Sequence, residues 1–156
     1  CEKLEENSLD QLLANHTAER IHTLYINYVL QEEHAMLLEC SSSIGATSKP
    51  DNSTLLKLVE GSHLNGPHGL IDLLDREWRT DGQDDHYGLA CNENLRPTYP
   101  SHFLSETVTA KRIFRVVHTF RPVEYTLGGF CERNANRIAS GRGLAVTLAR
   151  SENEVV

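Results

Sequence analysis

Positive charge is scarce in this chain. Its 15 lysines and arginines are outnumbered by 22 aspartates and glutamates, which leaves a formal charge of −7. A protein that binds nucleic acid needs a basic surface to neutralise phosphates, so this balance argues against a nucleic-acid partner. Apolar runs approaching the roughly 18 residues of a membrane-spanning helix are also absent, and we expect no membrane insertion.

Short motifs of well-known sites are missing as well. The sequence contains no GxGxxG, P-loop, GxSxG or HExxH motif, so nucleotide-binding, α/β-hydrolase and zincin chemistry have no support from motifs. The four cysteines form no CxxC pair, which favours separate buried thiols over a zinc site. His63 and His68 share one loop and are only a weak metal signal. We therefore expect neither a metal nor an organic cofactor.

The length and composition are those of a folded protein. A chain of 156 residues can bury a substantial core, and 39% hydrophobic with 24% charged residues is ordinary for a soluble domain. We expect a single domain over residues 1–156. No signal peptide is evident, and we expect a cytoplasmic protein, although a segment preceding Cys1 could have been removed.

Residues 107–120 show the strongest pattern, an alternation that predicts a long β-strand over residues 108–120. The odd positions include Lys111 and Arg115, so that face should point outward. The even positions are mainly apolar and should face a core or cavity; they are Val108, Ala110, Arg112, Phe114, Val116, His118 and Phe120.

Two further runs follow this strand. Residues 125–131 predict a second strand, in which Gly128 and Gly129 indicate a bend or bulge. Residues 144–149 predict a third strand after a glycine-containing turn. Together the three runs predict a curved antiparallel meander.

The N-terminal half predicts helices. Apolar residues at spacings of three and four predict a helix around residues 18–30, with Tyr25 and Tyr28 on or near its apolar stripe. A second helix is predicted over residues 68–79, and residues 86–99 look irregular, with a short strand at residues 92–96 as one option. Helices followed by a meander indicate an α+β fold with the helices across one face of the sheet.

Three pieces of the sequence carry a family resemblance: residues 21–30, residues 105–112 with 116–119, and residues 128–133. In these pieces the chain resembles the SnoaL-like branch of the nuclear transport factor two-like superfamily. The resemblance implies a cone-shaped α+β fold. It also implies a cofactor-independent lyase, isomerase or cyclase that acts by acid–base catalysis on a polycyclic, largely apolar substrate of polyketide, terpenoid or steroid type.

The resemblance also implies catalytic residues. The matching positions are Tyr28, Glu33 and His86, and His118 joins them because its strand parity points it inward. A histidine beside a carboxylate is a suitable proton shuttle near neutral pH. Each residue has a structural alternative: Tyr28 as a core residue, Glu33 and His86 as solvent-exposed groups, and His118 as a buried structural histidine.

Other positions complete these expectations. The outer strand face, with Ile113 and Val117, is apolar enough to predict a homodimer formed sheet to sheet. A non-catalytic ligand-binding or assembly module of the same fold is the alternative function. The residues expected to contact the substrate are Tyr25, Trp78, Phe114, Val116 and Arg150.

Overall fold

A computed structural model describes residues 1–30, 32–33, 35–36, 51–62, 66–80, 82–105 and 112–135. Within these ranges, helix α1 runs directly into a π-helical turn, and four shorter helices and three strands follow. The helices are α1 (Leu9–Tyr25), the π-helical turn (Ile26–Leu30), α2 (Ser53–Glu60), α3 (Leu70–Thr80), α4 (Asp84–Thr98) and α5 (Phe130–Asn134); the strands are β1 (Phe103–Leu104), β2 (Ile113–Val117) and β3 (Pro122–Thr126). No helix among these residues has the length and apolarity needed to cross a membrane.

The three strands form one sheet in the order β1-β2-β3, and both pairings are antiparallel. Phe114 lies opposite Tyr125, and Val116 lies opposite both Phe103 and Val123. Phe114 and Val116 are buried while Arg115 is exposed, so the predicted alternation of faces is confirmed within β2. The antiparallel connection from β2 to β3 is also confirmed.

The central strand is shorter than predicted. Arg112, expected on the inner face, precedes β2 in the left-handed conformation (φ 53°), and its side chain is exposed and paired with Asp85. Phe120, also expected inside, lies beyond the end of β2 and is 66% exposed. Alternation alone therefore overestimated the length of the strand, because residues in the flanking turns can continue the alternation of apolar and polar side chains by chance. The predicted residues 108–111 and the predicted strand at 144–149 lie outside the described residues.

The second predicted strand also ends early. Strand β3 stops at Thr126, and Gly129 adopts a left-handed conformation (φ 80°) that precedes helix α5. The backbone N–H groups of Gly129 and Cys131 donate hydrogen bonds to the Asp84 carboxylate, at 2.7 and 2.9 Å. The paired glycines therefore mark a strand-to-helix turn, because only glycine adopts that conformation without strain.

Residues 84–98 form helix α4, so the irregular segment predicted at 86–99 is wrong. Tyr87, Cys91 and Leu95 recur every four residues and are all buried. Pro97 lies in the last turn, where it interrupts little of the helix. Gly88 and Pro97 lie within the helix although both residue types are unfavourable there, which is why the sequence pattern does not indicate it.

Helix α3 confirms the helix predicted at residues 68–79. Leu70, Leu73 and Leu74 are its buried face. Helix α2 leads into it through a close approach of two backbones: a Cβ atom added to Gly69 would lie 2.1 Å from the Gly61 nitrogen. Glycine at that position lets α2 and α3 pack side by side.

The inner face of the sheet is filled by aromatic rings. The Phe114 ring is central, with ring centroids 5.4 Å from Tyr125, 5.7 Å from Phe103 and 5.8 Å from Phe130. Tyr87 stacks on Phe130 at 5.9 Å. The expected cone is therefore wrong for the described residues: the three short strands form an open sheet whose inner face is covered by packed side chains.

Helix α1 buries a different face from the one predicted. Its inward positions include Leu12, Asn15 and Glu19, each 1% exposed. Ile21 and Leu24, on the predicted apolar stripe, are 61% and 55% exposed. The helix therefore turns two polar side chains toward the protein interior and leaves apolar ones outside.

Phe114→Ala should lower the free energy of unfolding by about 3–5 kcal/mol, because it opens a cavity where four aromatic rings meet. The matched control is Phe120→Ala, which removes a largely exposed ring and should cost less than about 1 kcal/mol. Urea denaturation of both variants measures the two losses. Equal losses would contradict the described core.

Candidate functional site

The candidate site is a buried polar cluster where α1 meets the end of β2. Glu19 of α1 is 1% exposed, and His118, directly after β2, is 3% exposed. They are the only buried residues of acidic or basic type in the part of the chain that the structure describes. Buried ionisable side chains are rare unless paired, so this pair marks a position where the fold is under a specific constraint.

Glu19 is surrounded by hydrogen-bond donors. Its Oε1 accepts a bond from the Thr119 backbone N–H at 3.0 Å and from the Cys1 thiol at 2.9 Å. Its Oε2 accepts from the Thr119 hydroxyl at 2.5 Å and from the Asn52 amide at 2.8 Å. The carboxylate thus receives donors from several separate segments.

These donors determine the charge of Glu19. Burial alone would raise the pKa of this carboxyl, but the adjacent His118 imidazole and hydrogen bonds from Thr119 and Asn52 outweigh that effect and lower the pKa from 4.5 to about 2. Glu19 is therefore ionised at neutral pH despite its burial.

The His118 ring contacts the Tyr125 hydroxyl through one nitrogen and faces the Glu19 carboxylate with the other. Its Nε2 lies 2.8 Å from the Tyr125 hydroxyl, which also accepts a hydrogen bond from the Asn15 amide at 2.8 Å. Its Nδ1 lies 3.5 Å from Glu19 Oε1, within ion-pair range, yet it makes no hydrogen bond with the described residues. Burial, with the nearby charge of Glu19, raises the pKa of Tyr125 to about 12 against the Asn15 hydrogen bond, so the phenol stays neutral.

The local sequence explains this geometry. Asn15 and Glu19 are four residues apart, so they lie on one face of α1. The Asn52 amide also donates to the Glu19 backbone carbonyl at 3.2 Å and accepts from the Thr23 hydroxyl at 2.7 Å, which fixes the start of α2 against α1. His118 lies one residue beyond the end of β2 and two residues after the buried Val116, so its side chain points to the same, inner face of the sheet.

Two cavities adjoin the cluster and share Asp51 and Asn52 as a wall. The first, of about 350 Å³, is rich in groups that can exchange protons or bind polar ligands; it is lined by His22, Asp51, Asn52, Leu55, His102, Val117, His118 and Thr119. The second, of about 360 Å³, is lined by Thr23, Ile26, Asn27, Asp51, Asn52, Ser53 and Leu56.

The structure separates the predicted catalytic residues. Tyr28 is 67% exposed on the π-helical turn, and Glu33 is exposed. His86 lies exposed in the first turn of α4, with its Nδ1 3.7 Å from Glu77 Oε1. None of these three lines either cavity. Of the four predicted catalytic residues, only His118 lies in the cluster. The carboxylate beside it belongs to Glu19, whereas the predicted pair was His86 with Glu33.

The predicted substrate contacts do not form one pocket either. Tyr25 and Trp78 are 52% and 42% exposed, on α1 and α3 respectively. Phe114 and Val116 are packed into the core. Arg150 lies outside the described residues. The four described side chains thus divide between the surface and the core.

Sequence reasoning missed Glu19, Asn15, Asn52 and Thr119. A signal for the first two was present: residues 14–20 include no large apolar side chain. A helix that stays packed through this stretch has to turn polar groups inward, and those that follow Leu12 at spacings of three and four are Asn15 and Glu19. The donors of Asn52 and Thr119 come from distant segments and carry no comparable signal.

Tyr125→Phe should lower the free energy of unfolding by about 1–3 kcal/mol, because Asn15 and His118 lose the hydroxyl that they share. Tyr99→Phe is the matched control: the Tyr99 hydroxyl is buried and has no hydrogen-bond partner among the described residues, so its removal should be neutral or stabilising. Urea denaturation distinguishes the two variants. A loss in Tyr99→Phe as large as that in Tyr125→Phe would contradict the proposed role of the shared hydroxyl.

Comparison with known proteins assigns a family. The family model for the myosin head (motor domain) matches residues 1–156. The chain is 24% identical over 169 residues to unconventional myosin IC of Drosophila melanogaster, covering 99% of this chain and 15% of that protein. It is 30% identical over 161 residues to the myosin IF heavy chain of Dictyostelium discoideum, covering 99% of this chain and 14% of that protein. The chain therefore spans about one-seventh of the length of these relatives.

This match corrects the SnoaL-like resemblance, which rested on three degenerate pieces covering about half of the chain. The lyase, isomerase or cyclase function, the ligand-binding module of the same fold and the apolar small-molecule partner were inferred from that resemblance and are wrong with it. The match also overturns the expected sheet-to-sheet homodimer. On the outer face of β2, Arg115 lies where it was predicted and pairs with Glu124. Because the match extends over all 156 residues, the chain belongs to the myosin motor-domain family.

Proposed function

We propose that this chain serves as part of an ATP-driven, actin-based motor that works in the cytoplasm. The observation that carries the proposal is the match of all 156 residues to the myosin head. Several relatives of similar coverage are unconventional myosins, from Drosophila melanogaster and Gallus gallus among others. The proposal concerns the whole motor, and it does not place ATP on the side chains of this chain.

Within the motor, we propose that this stretch connects the sheet mechanically to a long helix. Glu19 supports this role, because its carboxylate joins α1 to Thr119 at the end of β2 and to Asn52 at the start of α2. A displacement of the strand end would therefore be transmitted to α1. The connection is short and buried, so little of the displacement would be lost in flexible side chains.

The C-terminal end of α1 supports the same role. The helix continues as a π-helical turn, Ile26–Leu30, and such turns are frequent at functional sites. The outer side of this region is apolar, with Tyr25 and Tyr28 more than half exposed. An exposed apolar surface of this kind is typical of a contact surface. We propose that other parts of the motor pack against it.

A chimera tests the motor function. The matched stretch of the Dictyostelium discoideum myosin IF heavy chain, which is 30% identical, is replaced by this chain. We expect the chimera to bind actin filaments, to release them on addition of ATP and to show actin-activated ATPase activity. Cosedimentation and steady-state phosphate release measure these properties.

Variants of the chimera test the mechanical connection. Glu19→Ala should reduce actin activation of the ATPase at least about tenfold while ATP binding persists, because the carboxylate no longer joins the three segments. Glu93→Ala, an exposed change of the same type on α4, is the control and should behave like the unmodified chimera. A folded chimera that binds ATP but neither binds actin nor responds to it would contradict the motor function.

A further inference from the structure

Three potential metal ligands converge in the buried cluster: the Cys1 thiol, the Glu19 carboxylate and the His118 imidazole. The Cys1 Sγ lies 2.9 Å from Glu19 Oε1, and His118 Nδ1 lies 3.5 Å from the same oxygen. All three ligand atoms lie within 4.8 Å of one another. Among the described residues, this is the one group of three or more such side chains that is close enough to share an ion.

The spacing fits tetrahedral zinc. Zn²⁺ binds thiolate, imidazole and carboxylate ligands at about 2.0–2.3 Å, which places neighbouring ligand atoms roughly 3.3–3.5 Å apart. The observed oxygen–nitrogen separation already has this value, and the sulfur–oxygen separation needs to lengthen by roughly half an ångström. The sulfur–nitrogen separation is at most 4.8 Å, so shifts of roughly an ångström or less in the ligand atoms would bring all three to tetrahedral spacing.

The orphaned nitrogen of His118 is an independent indication of a ligand. The side chain is fully buried, yet Nδ1 has no hydrogen-bond partner among the described residues. The other ring nitrogen, Nε2, is held by the Tyr125 hydroxyl at 2.8 Å. Metal-binding histidines commonly have this arrangement, in which one nitrogen binds the ion and a hydrogen bond to the other fixes the ring.

Another histidine–carboxylate pair shows the contrast. His16 Nε2 lies 2.6 Å from Glu60 Oε1, and Arg20 donates two further hydrogen bonds to the same carboxylate. Arg20 balances the charge of that carboxylate, and no described cysteine is close enough to join His16 and Glu60 as a third metal ligand. The cluster around Glu19 has a thiol in place of the arginine.

We propose that Cys1, Glu19 and His118 bind one Zn²⁺ ion through Sγ, Oε1 and Nδ1, with water in the fourth position. The thiol proton passes to solvent as Sγ binds, and the Asn52 and Thr119 side chains keep Oε2 in place. A zinc ion here would replace the sequence-based expectation that the chain binds no metal. Zinc binding does not depend on the proposed motor function.

Metal titration of the purified 156-residue chain tests the site. Competition between the chain and a chromophoric chelator for Zn²⁺ should show one equivalent bound with an apparent dissociation constant below about 1 μM. Zn²⁺ should also raise the melting temperature. Co²⁺ in place of Zn²⁺ should give the absorption of a tetrahedral ion with a thiolate-to-metal charge-transfer band.

Variants locate the ion. Cys1→Ser should weaken Zn²⁺ binding at least about tenfold and abolish the charge-transfer band, and His118→Asn should weaken binding to a similar extent. Cys131→Ser and His16→Asn, which change a thiol and an imidazole elsewhere, should leave both properties unchanged. Cys1 is only half-buried, so Cys1→Ser keeps the test valid even where His118→Asn loses its fold.

Two results would overturn the proposal. The first is the absence of Zn²⁺ binding in the folded wild-type chain at micromolar concentration. The second is a charge-transfer band that persists in Cys1→Ser, which would place the ion on another cysteine. Neither result affects the motor function, which the chimera tests separately.

Discussion

The negative charge of Glu19 is the constraint on which the described architecture depends. A carboxylate removed from water costs several kcal/mol unless nearby donors replace its hydration. The donors here come from Thr119 after β2 and from Asn52 before α2, with His118 adjacent. The three segments must meet at this point for the charge to be stable, so one side chain fixes how the first helix lies against the sheet.

The same constraint explains the outer surface of α1. Because Asn15 and Glu19 occupy the inward face, apolar side chains in the C-terminal half of the helix are directed outward; Ile21 and Leu24 are more than half exposed. Exposed apolar side chains grouped at one end of a helix are expected in a protein that packs against further structure. This arrangement agrees with the proposed place of the chain in a motor, since the chain covers only 15% of the length of its Drosophila melanogaster relative.

Local patterns predicted some of the local structure. The alternation around Phe114 and Val116 identified the buried face of β2, and the leucines of α3 identified that helix, because both signals depend on near neighbours. Which face of α1 is buried depends instead on hydrogen-bond donors 33 and 100 residues away along the chain, and the spacing of apolar residues carries no information about them. The family resemblance failed for a related reason: helix and strand patterns of similar type recur in unrelated folds, and three short degenerate pieces did not distinguish them.

The pH dependence of stability tests the role of Glu19 most directly. The pKa of this carboxyl is lower in the folded protein, about 2, than its ordinary value of 4.5, so its contribution is fully present above pH 4.5 and is lost as the pH falls toward 2. The free energy of unfolding should be measured between pH 2 and 7 for the wild type and Glu19→Gln, in buffer with a metal chelator. The wild type should lose on the order of 3 kcal/mol more than Glu19→Gln over this window. Parallel curves for the two proteins would contradict the account.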